Sequence, residues 1–157
     1  MRFSGRIGIA LAIMTGFIAG CSTTDSKTTE TPAQKSTQQG SLYQRLGEKP
    51  AITAVVDDFV ARVAADSRIN GRFANTNIPQ FKKKLVDQIC QASGGPCTYT
   101  GRDMKSAHAG MRISNADFDA LVGDLVATLN KFKVPEREKN ELLSVLGPMR
   151  KDIVEKP

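Results

Sequence analysis

Between Ser41 and Pro157 the apolar residues recur at helical spacing and nowhere alternate with the period of two that a half-buried strand requires. Helices are therefore the elements this stretch can build, and the fold class is all-α. Ser41 to Leu46 makes a short first helix, broken at Gly47. Ile52, Val55, Val56, Phe59, Val60 and Val63 form one stripe on a helix that has Pro50 in its first turn and reaches about Ala65. Asn77 is a good N-cap for a helix from Ile78 to about Ala92, and Gly94-Gly95-Pro96 ends it. Residues 97–103 read as irregular, and a short helix from Met104 to about Ala109 is stopped by Gly110. Ser114 and Asp117 have capping-box spacing ahead of the stripe Phe118, Leu121, Val122, Leu125 and Leu129. After Val134-Pro135, Leu142, Leu143, Leu146, Met149 and Ile153 line one last helix.

What precedes Ser41 belongs to a different kind of chain. Arg2 and Arg6 lead into the apolar run Ile7 to Ile18, too short to span a bilayer but suited to the hydrophobic part of a secretory signal. Ile18-Ala19-Gly20 before Cys21 resembles the cleavage box of bacterial lipoproteins. That resemblance makes residues 1–20 a lipoprotein signal peptide and Cys21 the lipidated N-terminus, with Ser22 pointing to an outer membrane facing the periplasm. The alternative is an ordinary cleaved signal with Cys21 free or removed. Residues 21–40 are Ser, Thr, Gln, Lys and Pro with almost nothing apolar, the composition of a flexible tether. Residues 41–157 then form the single folded domain, a sufficient length for one core.

Composition excludes several functions. The chain has one histidine, His108, so a zinc site built from two or three histidines is impossible. A Ser-His-Asp triad would have to use that same residue. Net charge is +6 for the chain, and the domain carries 18 Lys and Arg against 14 Asp and Glu. So small a surplus suits anionic headgroups or propionates but gives no reason to expect nucleic acid. Asp57 and Asp58 are adjacent on a helix and point apart, which disfavours paired acid-base catalysis.

The chemistry-bearing residues are few. Phe81, Lys84, Leu85 and Gln88 share one face of the Ile78 helix, and a lysine in that stripe needs solvent or a partner. His108 lies on the short helix beside Ala107 and Met104, where a neutral imidazole can be an iron ligand or an ordinary surface or core residue. Cys90 and Cys97 bracket the end of the Ile78 helix and the loop after it. In an exported protein they either close a small ring as a disulfide or remain thiols.

Taken in order, Leu42-Tyr43-Gln-Arg-Leu-Gly47, Phe73-Ala-Asn-Thr76-Asn77, Gly94-Gly95-Pro96, Tyr99-Thr-Gly101, Met104-Lys-Ser-Ala107-His108-Ala-Gly110 and Ile113-Ser-Asn-Ala-Asp-Phe118 resemble the truncated haemoglobins of group I. The resemblance covers essentially all of 41–157. It implies a two-over-two helical sandwich around haem b (iron protoporphyrin IX), with His108 as proximal iron ligand. It also implies that Phe73 packs on the porphyrin, that Met104, Ala107 and Ile113 line the proximal side, and that Thr76, Phe81 and Tyr99 belong to the cofactor's surroundings. The ligand implied is a diatomic gas, O2, NO or CO, and the role a binding protein, with nitric oxide dioxygenase or peroxidase-like turnover as alternatives. Lys84 stands where some relatives place a distal iron ligand; it either ligates iron, favouring an unknown redox partner, or pairs with a haem propionate.

The chain departs from that family at the distal side. Its customary tyrosine and glutamine are matched by Val60 and Leu85, so O2 should be held weakly, with Gln88 the only nearby amide. The second glycine of the family's first turn is Glu48. A competing reading is a cofactor-free helical lipoprotein, an envelope adaptor using Lys82-Lys83-Lys84 on anionic lipid, with side chains filling the face around Leu85.

Overall fold

The computed structural model describes residues 40–156, so Cys21 and the leader lie outside it. Seven α-helices follow in order: α1 Leu42–Arg45, α2 Glu48–Ala65, α3 Ile78–Ala92, α4 Met104–His108, α5 Asn115–Lys131, α6 Glu136–Leu146 and α7 Arg150–Ile153. No strand occurs among the described residues, only an isolated bridge between Ser114 and Lys156. The starts of the helices follow their caps. The Ser41 hydroxyl accepts from Gln44 N–H, the Asn77 side chain from Gln80 N–H, and Ser114 and Asp117 complete a capping box with both bonds present.

Helix α2 packs on both α3 and α5 and supplies the centre of the core. Its Ile52, Val56, Phe59, Val60 and Val63 meet Val86, Ile89 and Cys90 of α3, Ala120, Leu125 and Leu129 of α5, and Leu142 of α6. Burying one such aliphatic side chain contributes roughly 1.5–3 kcal/mol. A small apolar cavity of about 20 Å3, lined by Ile52, Val55, Ile89, Leu125, Leu129 and Leu142 among others, remains in this core. It shares no residue with the His108 helix.

One element differs from the sequence reading. The last helix does not run unbroken to Ile153; α6 ends at Leu146, a 3-10 turn spans Gly147–Met149, and α7 resumes at Arg150. Pro148 has no N–H to continue the ladder, so the chain tightens there. The lysine run is also absorbed within the domain. Lys82 pairs with Asp57 at 2.9 Å, Lys83 with Asp87 at 3.1 Å, and Lys84 bonds to Thr100. Asp58 turns the other way, to Lys131. Arg45 ties α1 to α6 through Glu138, at 3.0 Å, and Glu141.

Candidate functional site

The site is assembled from α3, the loop 97–103 and α4. The face of α3 that carries Phe81, Lys84, Leu85 and Gln88 is turned toward the segment bearing His108. Lys84 Nζ donates to the Thr100 carbonyl at 3.0 Å and hydroxyl at 2.7 Å, and Gln88 Nε2 approaches the Met104 sulfur at 3.3 Å. It also lies 3.5 Å from the Met149 sulfur, so this amide is directed to sulfurs beside α4 and α7. Phe73 and Phe81 pack with ring centroids 5.5 Å apart. Phe73, Phe81, Leu85, Met104 and Ala107 are all only half-buried. Apolar side chains of this size left incompletely covered on α3, on α4 and just before α3 form a surface that an apolar planar group would cover.

Helix α4 is short but well started: Asp103 accepts from Ser106 N–H at 2.9 Å, which holds its carboxyl below the usual carboxylate range. Four residues after Met104, His108 is half-buried and its Nδ1 lies 2.7 Å from the Met104 carbonyl oxygen. A carbonyl can only accept, so Nδ1 carries the proton, and in the neutral ring the lone pair is then on Nε2. Among the described residues no three His, Cys, Asp or Glu converge as a metal site. This donor set therefore suits a metal already held in a macrocycle and needing one axial nitrogen. The residues fit haem.

The other residues singled out from sequence fall as follows. Val60 is buried in the core at 4 % exposure, and Ile113 is buried at 8 %. Thr76 is half-buried and its N–H donates to the Phe73 carbonyl at 3.0 Å, closing the turn before α3. Tyr99 folds over its own loop: its hydroxyl donates to the Arg102 carbonyl at 2.8 Å, and burial pushes its phenol above the ordinary value. That ring requires Gly101, because a Cβ there would lie 2.1 Å from the hydroxyl. Cys90 and Cys97 form a disulfide with Cα atoms 5.7 Å apart, joining the end of α3 to the loop that carries Tyr99 and Thr100.

Two features were not found from sequence. Thr100 as the partner of Lys84 lies in a stretch without periodicity. Glu155 reaches from the C-terminal end to the turn after His108, and no spacing rule links positions so far apart.

The bacterial-like globin family matches residues 41–155. The group 1 truncated haemoglobin of Tetrahymena pyriformis is 36 % identical over 115 residues, covering 73 % of this chain and 95 % of that protein. A group 1 truncated haemoglobin of Mycolicibacterium paratuberculosis is 35 % identical, covering 74 % and 85 %. The crystal structure of the Tetrahymena pyriformis protein in its Fe(III) form superposes with a TM-score of 0.72, covering 74 % of this chain and all of that one. A 2/2 haemoglobin from Synechococcus, solved in the cyanomet state with covalently attached haem, gives 0.70 at 31 % identity. These relatives lend no support to a cofactor-free adaptor. Sequence match, chain coverage and helix arrangement agree that this chain belongs to the bacterial-like globin family, with the two-over-two fold of a truncated haemoglobin.

Proposed function

We propose that this globin binds haem b through His108 and presents it to a diatomic gas (O2, NO or CO) from a lipid-anchored position at the cell envelope. The observation that carries the haem reading is the His108 imidazole, whose Nδ1 is committed to the Met104 carbonyl so that Nε2 is free for iron. Haem, when bound, supplies an iron that takes up the gas and exchanges electrons.

The chain's own residues determine how that iron is used. On the distal side the sequence resemblance implies Val60 and Leu85 at positions where donors are customary, and neither side chain can hydrogen-bond. Retention of O2 would therefore be weak and its loss fast, since these two side chains offer no N–H or O–H to a ligand that carries partial negative charge. Lys84 has two uses. Bonded to Thr100, it would leave the iron accessible to gas. Released from Thr100, it would become a distal ligand and favour electron exchange with a redox partner. The envelope position rests on the leader: the Ile18-Ala19-Gly20-Cys21 box and the polar stretch before Ser41.

Absorption spectra of the haem-loaded protein, ferric and ferrous, test the central claim against His108→Ala and Lys84→Ala. A Soret band that depends on His108 is expected. Uptake indifferent to His108, or no stoichiometric uptake, overturns it. A low-spin six-coordinate spectrum that Lys84→Ala converts to an open one assigns Lys84 to the iron, and an open ferrous spectrum in the parent assigns gas binding. Cys21→Ser should move the protein from the membrane fraction to the soluble fraction; an unchanged distribution removes the anchor.

A further inference from the structure

We propose that Glu155 is a positioning residue for His108: its carboxylate grips the turn after α4 through two backbone N–H groups and so fixes the orientation in which the imidazole meets the iron. The proposal rests on the reading of His108 as the iron ligand.

Helix α4 has five residues, too few to be stable by itself, and its main packing partner is α7. The turn after it is strained. Gly110 has φ +78° and Arg112 has φ +55°, a left-handed conformation that costs a non-glycine residue roughly 1–2 kcal/mol. Such a conformation persists only where the surroundings over-determine it. Here they do. The Gly110 N–H donates to Glu155 Oε1 at 2.7 Å, and the Arg112 N–H to Glu155 Oε2 at 2.5 Å. The Arg72 guanidinium donates to the Met111 carbonyl at 2.7 Å. The Ile113 carbonyl accepts from the Glu155 and Lys156 N–H groups at 2.9 and 3.0 Å.

Glu155 thus holds the turn with side chain and backbone together, and the two N–H bonds hold its carboxyl below the usual range. The turn closes directly on the histidine, because the Met111 N–H donates to the His108 carbonyl at 3.1 Å. With Met104 holding the ring from within α4, Glu155 fixes the other end of the lever from outside the helix. A carboxylate that only stapled the chain end would leave the iron–histidine bond untouched when removed. A positioning carboxylate would not.

The test uses the full haem-loaded chain as parent, Glu155→Ala, Glu155→Gln and, as a control for lost charge, the exposed Asp152→Ala. Two properties are read: the iron–histidine stretching band immediately after CO photolysis, and the rate of haem transfer to excess apo-acceptor. Glu155→Ala should shift or broaden the band and speed haem loss by about tenfold, the scale seen when a partner behind a metal ligand is removed. Glu155→Gln keeps one acceptor oxygen and should fall between, while Asp152→Ala should match the parent. A folded Glu155→Ala with parent-like band and haem loss overturns the proposal, as does an Asp152→Ala that behaves like Glu155→Ala. If Glu155→Ala does not fold, Glu155→Gln decides on the same two readouts. A parent that takes up no haem fails the His108 reading itself, and the positioning role falls with it; a parent that binds haem normally beside unaffected Glu155 variants fails the positioning role alone.

Discussion

Oxygen held at an iron carries partial negative charge, and a side-chain donor beside it contributes roughly 1.5–3 kcal/mol. On the proposed reading, Val60 stands where that donor would be. Val60→Tyr should therefore slow O2 dissociation by about tenfold or more, while CO dissociation, which depends less on a donor, changes far less. Stopped-flow measurement of both gases checks the pair. Because Val60 is 4 % exposed, the added ring also overpacks the core, and thermal unfolding should register a cost of about 1–3 kcal/mol. Asp124 offers a second residue-scale prediction. Burial, and then the neighbouring Asp66, push its carboxyl above the ordinary value, and its Oδ2 lacks a partner. Folding therefore favours protonated Asp124, and this contribution is lost as pH rises from the unfolded-state value through the folded one. Asp124→Asn should leave stability unchanged below that window and raise it by about 1 kcal/mol above, its amide donating to Asp66. Denaturant midpoints at acid and neutral pH decide; equal shifts at both would sink the argument. None of this pair was legible in the sequence, because Asp66 and Asp124 are brought together only by the crossing of α2 and α5. His108 was legible through its rarity and the motif around it.

Helix boundaries were the most legible part of the chain, since they are written in caps and breakers: Asn77, Ser114 with Asp117, and Gly94-Gly95-Pro96 all act as their chemistry requires. What local chemistry could not reveal was where a strained residue is tolerated. The end of α5 shows this. Lys133 N–H donates to the Asn130 carbonyl and Val134 N–H to the Leu129 carbonyl, both at 3.0 Å, which is the Schellman pattern with Lys133 at φ +55° in the place glycine usually takes. Lys133→Gly should stabilise the domain by up to about 1 kcal/mol, read from chemical denaturation; destabilisation would mean the lysine contributes something beyond the turn. Glu48 repeats the situation at the start of α2, with φ +62°, directly after Gly47 at φ +87°. Glu48, standing where the resemblance expects a second glycine, thus takes a left-handed conformation that is costly for a non-glycine residue. The disulfide acts on the same scale. It closes a short loop at sequence separation 7, and Cys97→Ser should cost roughly 2 kcal/mol by freeing the unfolded chain.

Across the whole molecule, stability and function draw on different helices. The buried aliphatic core belongs to α2, α3, α5 and α6, whereas the imidazole sits on α4, which packs mainly on α7 and is held by the Asp103 cap at its start and by Glu155 beyond its end. The first half was legible because apolar periodicity reports burial directly; of the second, the short helix and His108 were legible from the breakers and motif around them, but the anchors were not, because they come from the far end of the chain. This division predicts where a bound cofactor stabilises the protein. A ligand that binds only the native state adds stability by mass action, and its protection concentrates on the segments it orders. Without haem, amides of α2 and α5 should already exchange slowly, and those from residue 97 to residue 113 quickly. On haem binding, protection should rise most over residues 97–113 and along the Phe81–Gln88 face of α3, while the α2–α5 core changes by no more than the gain in global stability. Hydrogen exchange followed by mass spectrometry on the apo and haem-loaded protein resolves these segments. Protection that rose equally everywhere would mean the core itself depends on haem, and the burial of Val56 and Leu129, each 1 % exposed, argues against that.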